Sequence, residues 1–144
     1  MEELSKLDHA FHTLASRPPA IFLSLAKSII PANSAPSDAF LAPLSVGKRL
    51  DIWRVCLLCY LLTIDGKRIV PRELQLCGLL ATMRRRNSVV YSGCGTGKTL
   101  FMVLPLLWNL KSVSIIISPL KRLQANQVDI FSPYMRSESQ LCMD

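Results

Sequence analysis

The chain has 144 residues, 50% of them hydrophobic, and 17 Lys and Arg against 10 Asp and Glu give it a net charge of +7. That is one domain's worth of chain, too apolar for a disordered segment, and its charge suits a polyanionic partner without selecting one. Five cysteines at irregular spacing exclude a disulfide framework, and no apolar run approaches the roughly 20 residues a membrane span needs.

In chain order, Met1-Glu2-Glu3-Leu4 has no basic region leading into an apolar core, so it does not read as a secretory signal. The expected location is intracellular, and the nucleus for a eukaryotic source. Two apolar patches follow, Leu4 to Leu14 and Ile21 to Ile30, separated by Arg17-Pro18-Pro19, and both suit short helices. His9 and His12 lie one turn apart, but no Cys or carboxylate completes a metal set, so they read as helix surface. Residues 31–43 shift to Pro, Ala, Ser, Asn and Asp, the composition of a linker. A boundary there divides a helical and irregular N-terminal segment, 1–45, from a second unit, 46–144.

Val46 to Ile64 is apolar on most faces and reads as a buried helix stopped by Asp65-Gly66. Cys56 and Cys59, a lone Cys-x-x-Cys inside it, read as buried helix residues rather than metal ligands. Pro71 is expected to open the next helix at its first position, where a missing N–H costs nothing. Leu74, Leu76, Leu79, Leu80 and Met83 form the apolar side of that helix. Arg84-Arg85-Arg86 sits at its C-terminal end, favourable with the dipole, and Asn87 supplies the turn out.

Ser88-Val89-Val90-Tyr91-Ser92 is then an apolar, strand-forming run that breaks into Gly93-Cys94-Gly95-Thr96-Gly97-Lys98-Thr99 and continues into a helix-forming segment, Leu100 to Leu110. Strand, glycine-rich loop, Gly-Lys-Thr and helix in that order read as a phosphate-binding P-loop. Gly95 and Gly97 can take positive φ, turning successive backbone N–H groups inward to line an anion-binding concavity. Lys98 brings a charge to the β- and γ-phosphates of ATP, and the Thr99 hydroxyl is placed to coordinate Mg2+. The strict pattern asks for a Gly separated by four residues from the Gly-Lys pair, and that position is Ser92. Downstream, Val113 to Ile117 reads as a second buried strand, making a right-handed parallel unit with the first. Ser118-Pro119 ends it, Leu120 to Ile130 is a further helix, and the last residues have no clear period.

With these features in order, Arg68 to Phe131 resembles the N-terminal RecA-like lobe of superfamily 2 (DEAD/DEAH-type) helicases, and most closely the RecQ-type ATP-dependent DNA helicases. Arg72 and Gln75 resemble that family's Arg-x-x-Gln element, which implies that the Gln75 amide pairs with the adenine edge while Arg72 lies beside the base. Ser118-Pro119-Leu120-Lys121-Arg122 resembles the family's motif Ia, which implies contact between Ser118, Pro119, Lys121 and Arg122 and a DNA backbone. The resemblance implies an α/β fold, a partial P-loop NTPase parallel sheet with flanking helices, preceded by the helical N-terminal segment. It also implies ATP and Mg2+ as cofactors, with Arg72, Gln75 and Gly93 through Thr99 at the nucleotide and Lys98 and Thr99 at the phosphates.

The family's acidic Asp-Glu-x-His motif is not in the chain, nor is its second lobe. Phosphoryl transfer needs a carboxylate to hold Mg2+ and orient water. The expectation is a catalytically incomplete ATP-binding part of a helicase, against the alternative of a module that binds nucleotide or nucleic acid without hydrolysis.

Overall fold

A computed structural model describes residues 16–63, 68–93 and 95–109, together with His9, His12, Thr13 and Ile115. Five helices are delimited among the described residues: α1 (Pro19–Ile29), α2 (Asp38–Leu41), α3 (Val46–Leu62), α4 (Glu73–Met83) and α5 (Thr99–Trp108). Pro19 starts α1, with φ preset and no N–H to satisfy. The single turn of α2 is capped by Ser37, whose Oγ accepts the Phe40 N–H at 3.2 Å. Arg49 donates to the carbonyls of Leu44 and Ala42, both at 2.8 Å, which pins the chain between α2 and α3.

The core is built around α3. Ile52, Trp53 and every residue from Val55 to Cys59 are buried, as in a helix apolar nearly all round. Against it pack α1 and α5, and α4 in turn packs on α5. At the last of these contacts a Cβ on Gly78 would overlap the Phe101 ring, so glycine sets the approach of the two helices. Truncating a fully buried side chain such as Leu57 to Ala costs about 2–5 kcal/mol by lost burial and cavity formation. The cluster runs from Phe22 and Ala26 to Leu104 and Leu107, on both sides of the Pro-rich stretch. Glu73 at the start of α4 also ties into that stretch, accepting the Ser37 N–H at 3.0 Å.

The expected α/β parallel sheet is overturned: the fold is helical, and no strand occurs among the described residues. The run Ser88 to Ser92 is neither helix nor strand, and Val89 and Tyr91, which a covered sheet would bury, are wholly exposed. A short β-branched run becomes a strand only when a neighbour completes its ladder, and its apolar composition does not provide one. Of the expected second strand, Val113 to Ile117, only Ile115 is described, and it is 86% exposed. Burial is achieved by helices packing on α3 instead.

Three local expectations also change. Pro71 precedes the N-cap residue Arg72 rather than opening α4. On that helix Leu76, Leu79 and Leu80 face the core, but Leu74 is 55% exposed and Gln75 is buried in its place. The turn out of α4 is made by Arg85, at φ 54°, not by Asn87. The first expected helix before Arg17, apart from His9, His12 and Thr13, and the one from Leu120 to Ile130 lie outside the described residues.

Candidate phosphate-binding site

The loop from Ser92 to Thr99 leads directly into α5. Gly95 and Gly97 adopt φ of 78° and 76°, where an L side chain is strained and glycine is not. Two hydroxyls hold the loop shut: Ser92 Oγ lies 2.9 Å from Thr96 Oγ1, which donates to the Gly93 carbonyl at 2.9 Å. A hydroxyl has one proton, and that of Thr96 goes to Gly93, so Ser92 is the donor between the two. Lys98 Nζ closes the curve by donating to the Ser92 carbonyl at 2.8 Å.

This arrangement leaves backbone donors over. The first turn of α5 is tight, with Leu100 N–H bonded to Gly97 O and Phe101 N–H to Lys98 O. The N–H groups of Gly95, Thr96, Gly97, Lys98 and Thr99 find no acceptor among the described residues. Five consecutive donors at a helix N-terminus, beside an ammonium with two further protons to give, are the chemistry of an anion site. A phosphate, whose oxygens accept from several donors at once, would suit such a row. Thr99 is half-buried at the start of α5, and its hydroxyl is the one side-chain oxygen there suited to a Mg2+ that takes its other ligands from phosphate and water.

Gln75 is placed differently from the expectation that it meets a base. It is only 4% exposed, and its Nε2 donates to the carbonyls of Gly97 at 3.0 Å and Thr96 at 3.3 Å. Its Oε1 accepts the Arg72 N–H at 2.8 Å, one half of a capping box. The guanidinium of Arg72 is donor only and cannot supply the other half. Both amide protons of Gln75 are therefore committed to the loop, and the start of α4 is tied to the start of α5 through one side chain. A Cβ on Gly97 would stand 2.5 Å from that Nε2, so the bond depends on glycine there for room as well as for φ.

The structure thus brings Gln75, Gly93, Gly95, Thr96, Gly97, Lys98 and Thr99 together, with Arg72 joined to them through its backbone N–H to Gln75; Cys94, Ser118, Pro119, Lys121 and Arg122 lie outside the described residues. No family model, no curated protein and no solved structure matches the chain. The site's character therefore rests on its own atoms. Ser92, which departs from the strict motif, is the residue whose part in the loop the motif does not announce; its hydroxyl and carbonyl secure both Thr96 and Lys98. Two shallow concavities of about 450 and 390 Å³ lie elsewhere, one along α1 beside Arg17 and Ser24, the other between Lys27, Trp53 and Asp38. Neither is lined by residues of the loop. No group of His, Cys, Asp and Glu suited to a metal occurs among the described residues, and no helix among them is long and apolar enough to cross a membrane.

Proposed function

We propose that this chain binds the phosphates of a nucleoside triphosphate, ATP with Mg2+, in the loop from Gly93 to Thr99, and that it is the ATP-binding part of an ATP-dependent DNA helicase. The observation that carries the first half is the row of unpartnered N–H groups from Gly95 to Thr99 beside Lys98. In binding, Lys98 exchanges the Ser92 carbonyl for a phosphate oxygen. Thr99 offers its hydroxyl to the metal. Selection for adenine is weak while the Gln75 amide stays on the loop, because a base would have to displace two hydrogen bonds to reach it. The helicase half rests on the order of Arg72 and Gln75, the loop, and Ser118 to Arg122 along the chain, with Lys121 and Arg122 taking a DNA backbone.

A second reading, a module that binds nucleotide without hydrolysing it, is favoured by one observation. No Asp or Glu occurs between Glu73 and Asp129, so nothing in that stretch can hold Mg2+ from the opposite side or orient water. Phosphate release assayed beside Lys98→Ala separates the two readings, because turnover above that control supports only the enzyme.

The binding claim is tested by amide NMR. Titration with ATP and Mg2+ is expected to move the resonances of Gly95 to Thr99 and the Gln75 side-chain amide before any others. Resonances that stay in place at millimolar ATP would remove the proposal.

A further inference from the structure

The end of α4 carries a feature that neither the fold nor the phosphate loop uses. Helix α4 closes in a Schellman motif: Arg86 N–H bonds to Ala81 O at 3.0 Å and Arg85 N–H to Thr82 O at 2.9 Å. The residue at the left-handed position of such a motif is usually glycine, sometimes asparagine. Here it is Arg85, at φ 54°, the one non-glycine residue with positive φ among the described residues. A strained backbone at an exposed turn needs a compensating use, and packing is not it. Arg84, Arg85 and Arg86 are all exposed, and none has a hydrogen bond or ion pair from its side chain among the described residues. Only charge remains as their contribution.

That charge is uncompensated over a long span. From Leu74 to Val128 there is no Asp or Glu and there are seven Lys or Arg residues, a number equal to the whole net charge of +7. The triplet lies about 14 Å along α4 from Gln75, at the far end of the helix from the loop, so it does not belong to the nucleotide site. We propose that Arg84, Arg85 and Arg86 form a second anion-binding surface, which grips the sugar-phosphate backbone of single-stranded nucleic acid without reading its bases. Guanidinium groups bind phosphate oxygens two at a time, and three successive ones on an irregular turn match a ligand with repeating charge. The apolar residues of α4 nearest the triplet, Ala81 and Met83, are half-buried, whereas Val89 and Tyr91, exposed just beyond it, are open to a lipid surface or to a stacked base, and the vesicle arm of the test separates the two.

The test is fluorescence anisotropy of the full chain with two labelled single-stranded oligonucleotides of different sequence, over a range of salt. Both should bind alike. Replacing Arg84→Gln, Arg85→Gly and Arg86→Gln together should flatten the log–log dependence of affinity on salt by about 2, at about 0.7 per lost phosphate contact. Arg85→Gly alone should flatten it by about 0.7 while raising the melting temperature, since glycine relieves the strain. Arg84→Lys with Arg86→Lys should preserve the slope. The triple variant should keep its affinity for ATP with Mg2+, so failure of the nucleotide reading and failure of this one are separable, and Lys121→Ala with Arg122→Ala should lower the slope independently. An unchanged slope in the triple variant, or binding of phosphatidylserine vesicles through these arginines with none to oligonucleotides, would overturn the proposal.

Discussion

The Nε2 of Gln75 stands 3.0 Å from the carbonyl oxygen of Gly97, and a Cβ added at Gly97 would meet that nitrogen at 2.5 Å. One buried amide therefore holds the phosphate loop to the start of α4, and one glycine makes room for it. Gly95 has the same positive φ but open space around its α-carbon. Gly95→Ala should cost only backbone strain, about 1–2 kcal/mol. Gly97→Ala should cost more, by about the 1 kcal/mol that a hydrogen bond contributes. In a Gln75→Ala background the two alanine variants should become equal, which urea unfolding of the double-mutant cycle can measure. A difference that persists without Gln75 would refute the brace.

The contact between Glu73 and Ser37 gives the fold an acid dependence. The Ser37 hydroxyl, and then its backbone N–H, favour ionised Glu73 and hold its carboxyl below its ordinary value of 4.5. A depressed folded value means the contribution is present above pH 4.5 and lost as pH falls through that folded value. The effect is small at an exposed carboxyl. Glu73→Gln should flatten that part of the stability profile and leave neutral pH nearly unchanged; chemical denaturation at pH 3, 5 and 7 compares them. An identical acid limb in wild type and variant would count against the link.

Burial, and then the neighbouring Cys59, push the Cys56 thiol up to about 12 from 9.0, and burial pushes Cys59 to about 12 as well. Thiolates are the reactive form, so neither should label with a maleimide in the native state. Cys77 is exposed on α4 and should label quickly. Peptide mapping after brief alkylation, with and without urea, reads all three, and native labelling of Cys56 or Cys59 would contradict a closed core. Above pH 9.0 the unfolded state ionises these thiols while the folded state does not, so stability should fall as pH rises from 9 toward 12.

What the sequence shows plainly is what short-range chemistry decides. Gly95 and Gly97 were readable because only glycine takes their φ cheaply, and α3 because Ile52 to Leu62 is apolar on nearly every face but that of Arg54, which suits a central helix. The sheet was misread because Val89, Val90 and Tyr91 have strand-forming side chains, whereas pairing is a long-range property that composition does not encode. Leu74 and Gln75 exchanged places for a similar reason: hydrophobicity places Leu74 inside, but a buried amide with all its donors satisfied on the loop is also stable there. Arg85 was invisible in principle, because nothing about an arginine announces a left-handed turn.

The proposed phosphate site depends most directly on Lys98 and the donors around it. Calorimetric titration of ATP with Mg2+ into wild type, Lys98→Ala and Ser92→Ala tests it in one experiment. Hydrogen bonds to charged groups contribute about 1.5–3 kcal/mol, so Lys98→Ala should weaken binding by about 10- to 150-fold. Ser92→Ala, which loosens the loop through Thr96 while keeping the Ser92 carbonyl that Lys98 uses, should weaken it by less. Wild type and Lys98→Ala binding ATP with equal affinity, or wild type showing no heat of binding at millimolar nucleotide, would contradict the phosphate site.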